Sequence, residues 1–186
     1  MLKALQRRRE CRRIADTLCA RVSARARDPA FYRVCGVGDT FDGRFDVLVL
    51  HAWIVLDALQ SRGEGEVAQQ LVDALFIRLD EALREQGAGD MGINRRMKTM
   101  AGAFYGRLQA YGGARDESSM AAALMRNVFR GDAARIEQAA LLAKYVASAR
   151  VKLGPSRLAQ GEADFGPVPA ATEKTNDDHH SPPTLS

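Results

Sequence analysis

A chain of 186 residues with 46% hydrophobic content is long enough for one domain with a buried core. Aromatics make up only 6%, and β-branched residues are scattered among abundant Ala and Leu, which argues against a sheet protein and for helices. The net charge of +4 is local, since residues 1–30 carry nine Lys and Arg against three acids; this argues against a broad nucleic-acid face and specific DNA binding, and leaves a local anionic partner for that segment.

The first expected helix runs from about Leu2 to Ala26, with Leu5, Cys11, Ile14, Leu18 and Val22 at helical spacings. Arg7, Arg8, Arg9, Arg12 and Arg13 crowd its first half, a pattern suited to an anionic membrane surface or the ribosome, or to a solvated face of a packed helix. Asp28-Pro29 ends it, because the residue before proline avoids the helical region. Phe31 to Thr40 then reads as an irregular connector. A second helix is expected from Phe41 to about Gln60, capped by Thr40 or Asp42, and apolar on nearly every face in its middle. That makes it the central element.

Further helices are expected over about Glu64–Gln86, Asn94–Tyr111, Ser118 or Ser119 to Arg130, and Asp132–Val151, with Asp132 as a cap. After Gly154-Pro155 the composition turns to Pro, Gly, Ser and Asp, which predicts a disordered tail. The expected fold is all-α, a single-domain bundle of about six helices, divided as 1–30 (basic helix), 31–154 (helical body) and 155–186 (tail). The most apolar stretch, Val47 to Leu56, is interrupted by His51 and is far shorter than the roughly 20 residues a spanning helix needs. The opening MLKALQRRRECRR has no apolar run after its charges and so reads as no secretory signal, and a soluble or peripheral protein is expected.

Chemistry is hard to place on this sequence. Cys11 and Cys19 would lie roughly 12 Å apart on one helix, too far for a disulfide, and with Cys35 they match no zinc spacing. The loop from Asp39 to Asp46 has its acids and glycine at the wrong positions for calcium, and Gly36-Val-Gly38 lacks the third glycine of a nucleotide loop. His51 has Asp46 five positions before it and Asp57 six after, neither on its helical face, so it reads as a core histidine. A small ligand pocket or enzyme site around His51 and Trp53 is the alternative. No catalytic residues, metal or cofactor are expected.

Two segments remain: GVGDTFDGRFDVLVLHAWIVLDAL (36–59) and GAGDMGINRRMKTMAGAFYGRLQAYG (87–112). Each sets a Gly-Asp loop before a long helix with arginines and aromatics near its start. Arg44 stands beside Asp42 and Asp46, and Arg95, Arg96 and Lys98 stand beside Asp90. An internal ion-pair network would account for them, as would a protein-docking face that includes Phe41, Tyr105 and Arg107.

FYRVCGVGDTFDGRFDVLVLHAW (31–53) and LREQGAGDMGINRRMKTMAGAFYGRLQAY (83–111) resemble the ubiquinol–cytochrome c chaperone family, through DGRFD, then GD-x-G, then FYGR. The resemblance covers about residues 31–153. It implies a non-enzymatic assembly factor that binds newly made cytochrome b, or another subunit of the cytochrome bc complex, during maturation of ubiquinol–cytochrome c reductase. Its mitochondrial members work with a small partner protein and at the ribosomal exit site. For this chain it implies a cytoplasmic location peripheral to the inner membrane. Asp39, Phe41, Asp42, Gly43, Arg44, Asp90, Arg95, Arg96, Lys98, Tyr105 and Arg107 are the expected partner-binding residues.

Overall fold

The computed structural model describes residues 2–85, 90–154 and 156–170. Among them there is no strand, and the helices follow in the order α1 (Leu2–Ala26), α2 (Ala30–Arg33), α3 (Phe41–Ser61), α4 (Gly65–Glu85), α5 (Asp90–Gly112), α6 (Glu117–Asn127) and α7 (Ile136–Leu153). The expected all-α bundle is what forms. α3 is its axis, packed against α1, α4, α5 and α7, with Phe45 through Leu56 buried at every position except the half-buried Leu48. An apolar helix on all sides can only be satisfied by neighbours on all sides.

α1 is no appendage. Cys11, Ile14, Ala15, Leu18, Cys19 and Val22 join the same core as α3 and α4. The connector read as irregular contains one helical turn, α2, which seats Phe31 with no exposed surface. Thr40 caps α3, its hydroxyl accepting from the Gly43 amide at 3.1 Å. Asp132 is also a cap, accepting from the Ala134 amide at 3.0 Å, but the helix it starts is a single 3-10 turn (Ala133–Arg135) that leads into α7. α5 begins at Asp90 rather than near Asn94, carrying Gly92 in its first turn where a side chain would meet nothing. Local propensity predicts a later start, and a glycine this near the end of a long helix weighs little against the packing of Ile93, Met100 and Phe104.

The boundary of the expected tail shifts. Residues 156–170 form a strap over the body, with Leu158 and Phe165 buried and Pro169 buried near its end. Gly161 crosses Thr17 of α1 at φ 82°, where a Cβ would stand 3.0 Å from that threonine, so this crossing demands glycine. Arg25 of α1 donates to the Gly166 carbonyl at 2.6 Å. Two apolar anchors in a polar stretch gave the composition no run to register. Residues 171–186, with His179 and His180, lie outside the described residues.

Candidate functional site

The DGRFD segment is the first turn and a half of α3, and its glycine is a packing requirement. A Cβ on Gly43 would stand 1.9 Å from the Gly38 carbonyl oxygen and 3.3 Å from a Val37 methyl, so the connector lies directly on the helix. That close approach turns Asp39 back beside Arg44, whose Nε donates to the carboxylate at 2.7 Å. The guanidinium holds the Asp39 carboxyl below the ordinary carboxylate range. Arg44 thus pairs with Asp39, not with Asp42 or Asp46 as sequence proximity suggested. Both partners are exposed.

Asp46 points the other way. It is fully buried, with Arg107 of α5 at 2.6 Å on one carboxylate oxygen and Arg130, after α6, at 2.9 Å on the other. Burial holds its carboxyl above the ordinary carboxylate range, outweighing the opposing pull of the two guanidinium groups. Arg107 also lies over the Phe45 ring at 5.3 Å and donates to the Ala103 carbonyl at 3.0 Å. Arg130 has a left-handed backbone, φ 57°, and donates to the Asn127 and Val128 carbonyls that end α6. The last residue of DGRFD therefore holds the last residue of FYGR. Two segments that read as separate loops are one structural unit, and the mostly buried side chain of Arg107 is engaged inside it.

His51 sits about a turn and a half further along α3, with no exposed surface. Its Nδ1 lies 2.8 Å from the Val47 carbonyl, and Nε2 2.8 Å from the Tyr145 hydroxyl. Val47 can only accept, so Nδ1 carries the proton and Nε2 accepts from Tyr145, which in turn accepts from Arg25 Nε at 3.0 Å. Burial pushes the imidazole down to about 4 and the Tyr145 phenol up to about 12. The Phe31 and Phe165 rings close over it at 4.9 and 5.3 Å. A neutral, sealed histidine with both nitrogens engaged cannot reach a substrate. Trp53 is likewise buried, against Tyr111 and under Arg150. No group of three His, Cys, Asp or Glu gathers as a metal site among the described residues.

What the surface offers is a groove of about 720 Å³ between the C-terminal end of α1, the start of α3 and the end of α4. Its floor is apolar, from Ala26, Phe41, Phe45, Leu48, Leu79 and Ala82. Its rim is charged with both signs, Arg27, Arg44 and Arg78 against Asp39, Glu81 and Glu85. A second hollow of about 430 Å³ adjoins it and shares Arg27, Tyr32, Asp39 and Arg44. Asp39, Phe41 and Arg44 were anticipated as surface residues, whereas Arg27, Tyr32 and the α4 rim were not. Nothing in α4 beyond an ordinary amphipathic pattern marked them.

The α5 residues do not join this groove. Arg95, Arg96 and Lys98 are exposed, with no ion pair to a described residue, and the Asp90 side chain lies outside the described set. Tyr105 is 54% exposed and stacks on Phe76 of α4 at 6.2 Å. Asp42 is exposed beside the groove. On α1, residues 2–10 are all exposed; Arg7 pairs with Glu66 at 2.8 Å and Arg13 with Glu10 at 2.6 Å. No helix among the described residues is long and apolar enough to cross a membrane.

Residues 33–157 match the model of a family described as ubiquinol-cytochrome C chaperone. The chain belongs to that family. Over 146 residues, 74% of this chain, it is 27% identical to the mouse (Mus musculus) ubiquinol-cytochrome c reductase complex assembly factor 1. The matched stretch is 50% of that protein, so the chain spans about half the length of its curated relative. The fold matches the crystal structure of the Cbp3 homolog from Brucella abortus with a TM-score of 0.72 and 36% identity, over 90% of this chain and 98% of that one. The resemblance read from the two segments is borne out. Within this chaperone family chain, the matched region holds the groove's α3 and α4 walls and the Asp46–Arg107 pair, while α1 lies before it.

Proposed function

We propose that the protein is a non-enzymatic assembly chaperone that binds newly made cytochrome b and supports the biogenesis of ubiquinol–cytochrome c reductase. It works in the cytoplasm, at the periphery of the inner membrane. The observation that carries this reading is the family match across residues 33–157. The architecture agrees with it, because the groove sets an apolar floor inside a rim of both charges, a surface suited to holding a protein segment, and Tyr105 stands exposed on α5. Asp39, Phe41, Asp42 and Arg44 beside the groove, with Arg95, Arg96, Lys98 and Tyr105 on α5, form the client-facing side. Gly43 and Arg107 shape it from within.

The test is charge reversal at two exposed positions, Arg44→Glu with Arg96→Glu. Neither side chain is buried, so the melting temperature should stay within a few degrees of the parent. Co-purification of newly made cytochrome b should fall at least about ten-fold, as expected when interface arginines are inverted. Undiminished capture would remove the surface assignment. Deletion in the host, read by haem spectra and native gels, should deplete assembled reductase; normal levels would remove the function itself.

A further inference from the structure

The first nine residues of α1 extend beyond the core. Leu2 to Glu10 are all exposed, and Cys11 is the first side chain to be buried. Leu2 and Leu5 are 77% and 51% exposed, and with Arg9 and Arg12 they fall at i, i+3, i+7 and i+10 along one stripe. That stripe flanks the buried one of Cys11, Ile14, Ala15, Leu18, Cys19, Val22 and Ser23, with Leu5 about five full turns before Ser23 on the same line, so its exposure comes from the helix running past the core. Arg7 and Arg13 are engaged by Glu66 and Glu10, whereas Lys3, Arg8, Arg9 and Arg12 have no ion pair to a described residue. Solvent thus meets an outward helical face that is apolar at its tip and uncompensated cationic behind it.

We infer that this face lies on an anionic lipid bilayer, with Leu2 and Leu5 in the headgroup–acyl boundary, Arg9 and Arg12 among the lipid phosphates, and the long Arg8 side chain reaching them from the flank of the stripe. Two signals share one face, and membrane surfaces use both: short apolar insertion plus charge. Arginine stems can lie along the apolar layer while their heads reach the phosphates. A nucleic-acid partner would answer the arginines but leave both leucines in water. Cationic charge with adjacent exposed leucines therefore favours lipid over RNA. This deepens the reading of a protein that works at the membrane periphery, by naming the surface and the residues that attach it.

The test uses the full chain with vesicles of phosphatidylcholine, with and without phosphatidylglycerol, and contains no client. Its failure is therefore distinguishable from failure of the chaperone reading. Binding should require the anionic lipid and weaken as salt rises. Each basic residue near an anionic surface strengthens binding about five-fold, so Arg8→Glu, Arg9→Glu and Arg12→Glu together should lose at least roughly 100-fold. Leu2→Asp with Leu5→Asp should lose about ten-fold or more, since insertion of both side chains is forfeited. In a Leu5→Trp variant, emission should shift blue on anionic vesicles alone. The leucine pair is the deciding arm. If L2D/L5D binds anionic vesicles as tightly as the parent, or if a structured RNA displaces the vesicles and binds L2D/L5D undiminished, the face is a polyanion site and the inference is overturned. Equal binding to neutral vesicles overturns it as well.

Discussion

His51 shows how a titratable residue can serve shape rather than chemistry. Its donor and acceptor are both fixed, Nδ1–H to the Val47 carbonyl and Nε2 from the Tyr145 hydroxyl, so only the neutral ring fits. A free histidine titrates near 6.5 and the buried one near 4, so on acidification the unfolded chain takes up the proton first. The stabilisation is complete above about pH 6.5 and is lost as pH falls toward about 4, at roughly 1.4 kcal/mol per pH unit across that window. His51→Gln keeps a donor and an acceptor but does not titrate. Denaturant unfolding between these pH values should show a shallower acid decline in the variant, by a total of about 3 kcal/mol. Equal slopes would mean that the ring is already charged or already hydrated in the folded protein. The histidine's position on an apolar helix made its core role legible from sequence; its partner Tyr145, 94 positions away, was not.

At the scale of elements, the decisive contact is Asp46 of α3 with Arg107 of α5, reinforced from outside by Arg130. Breaking a buried pair by removing one partner costs more than removing both, because it strands a charge. Arg107→Met should therefore destabilise by about 3 kcal/mol, and the added change Asp46→Asn should recover at least about 1 kcal/mol in a double-mutant cycle. Arg130→Met, at a guanidinium half in solvent, should cost less than about 1 kcal/mol. Strictly additive losses at positions 46 and 107 would mean that the two helices are not coupled here. The order of the six longer helices and their approximate bounds could be read from 3.6-residue periodicity and from caps such as Thr40, whereas the single turn of α2 could not. The pairing of Asp46 could not. Its nearest arginine in sequence, Arg44, sits two positions along the helix on a different face, and the true partners arrive from 61 and 84 residues downstream.

Across the whole molecule, the folded unit runs past the last long helix. Leu158 and Phe165 of the strap are buried against α1 and the His51 cluster, and Arg62 closes the end of α7 by donating to the Leu153, Gly154 and Ser156 carbonyls. A chain ending at Gly154 should melt several degrees below one ending at Ala170, since fully burying two such side chains contributes about 3–6 kcal/mol before entropy is counted. Matching melting temperatures would show that the strap adds nothing. The candidate site was half legible at this scale. Asp39, Phe41 and Arg44 stood out through unusual loop chemistry, but the groove also needs Arg27, Leu79 and Glu81, residues of ordinary helices whose role exists only once α1 and α4 converge.

α1 has one more consequence. It is a single unbroken helix from Leu2 to Ala26, and its final turn lines the groove. Leu5 and Ala26 are then held roughly 30 Å apart at 1.5 Å of rise per residue. The helix is a ruler as well as a wall: whatever its exposed tip rests on, the groove is held at a fixed distance along the helix from that point of contact.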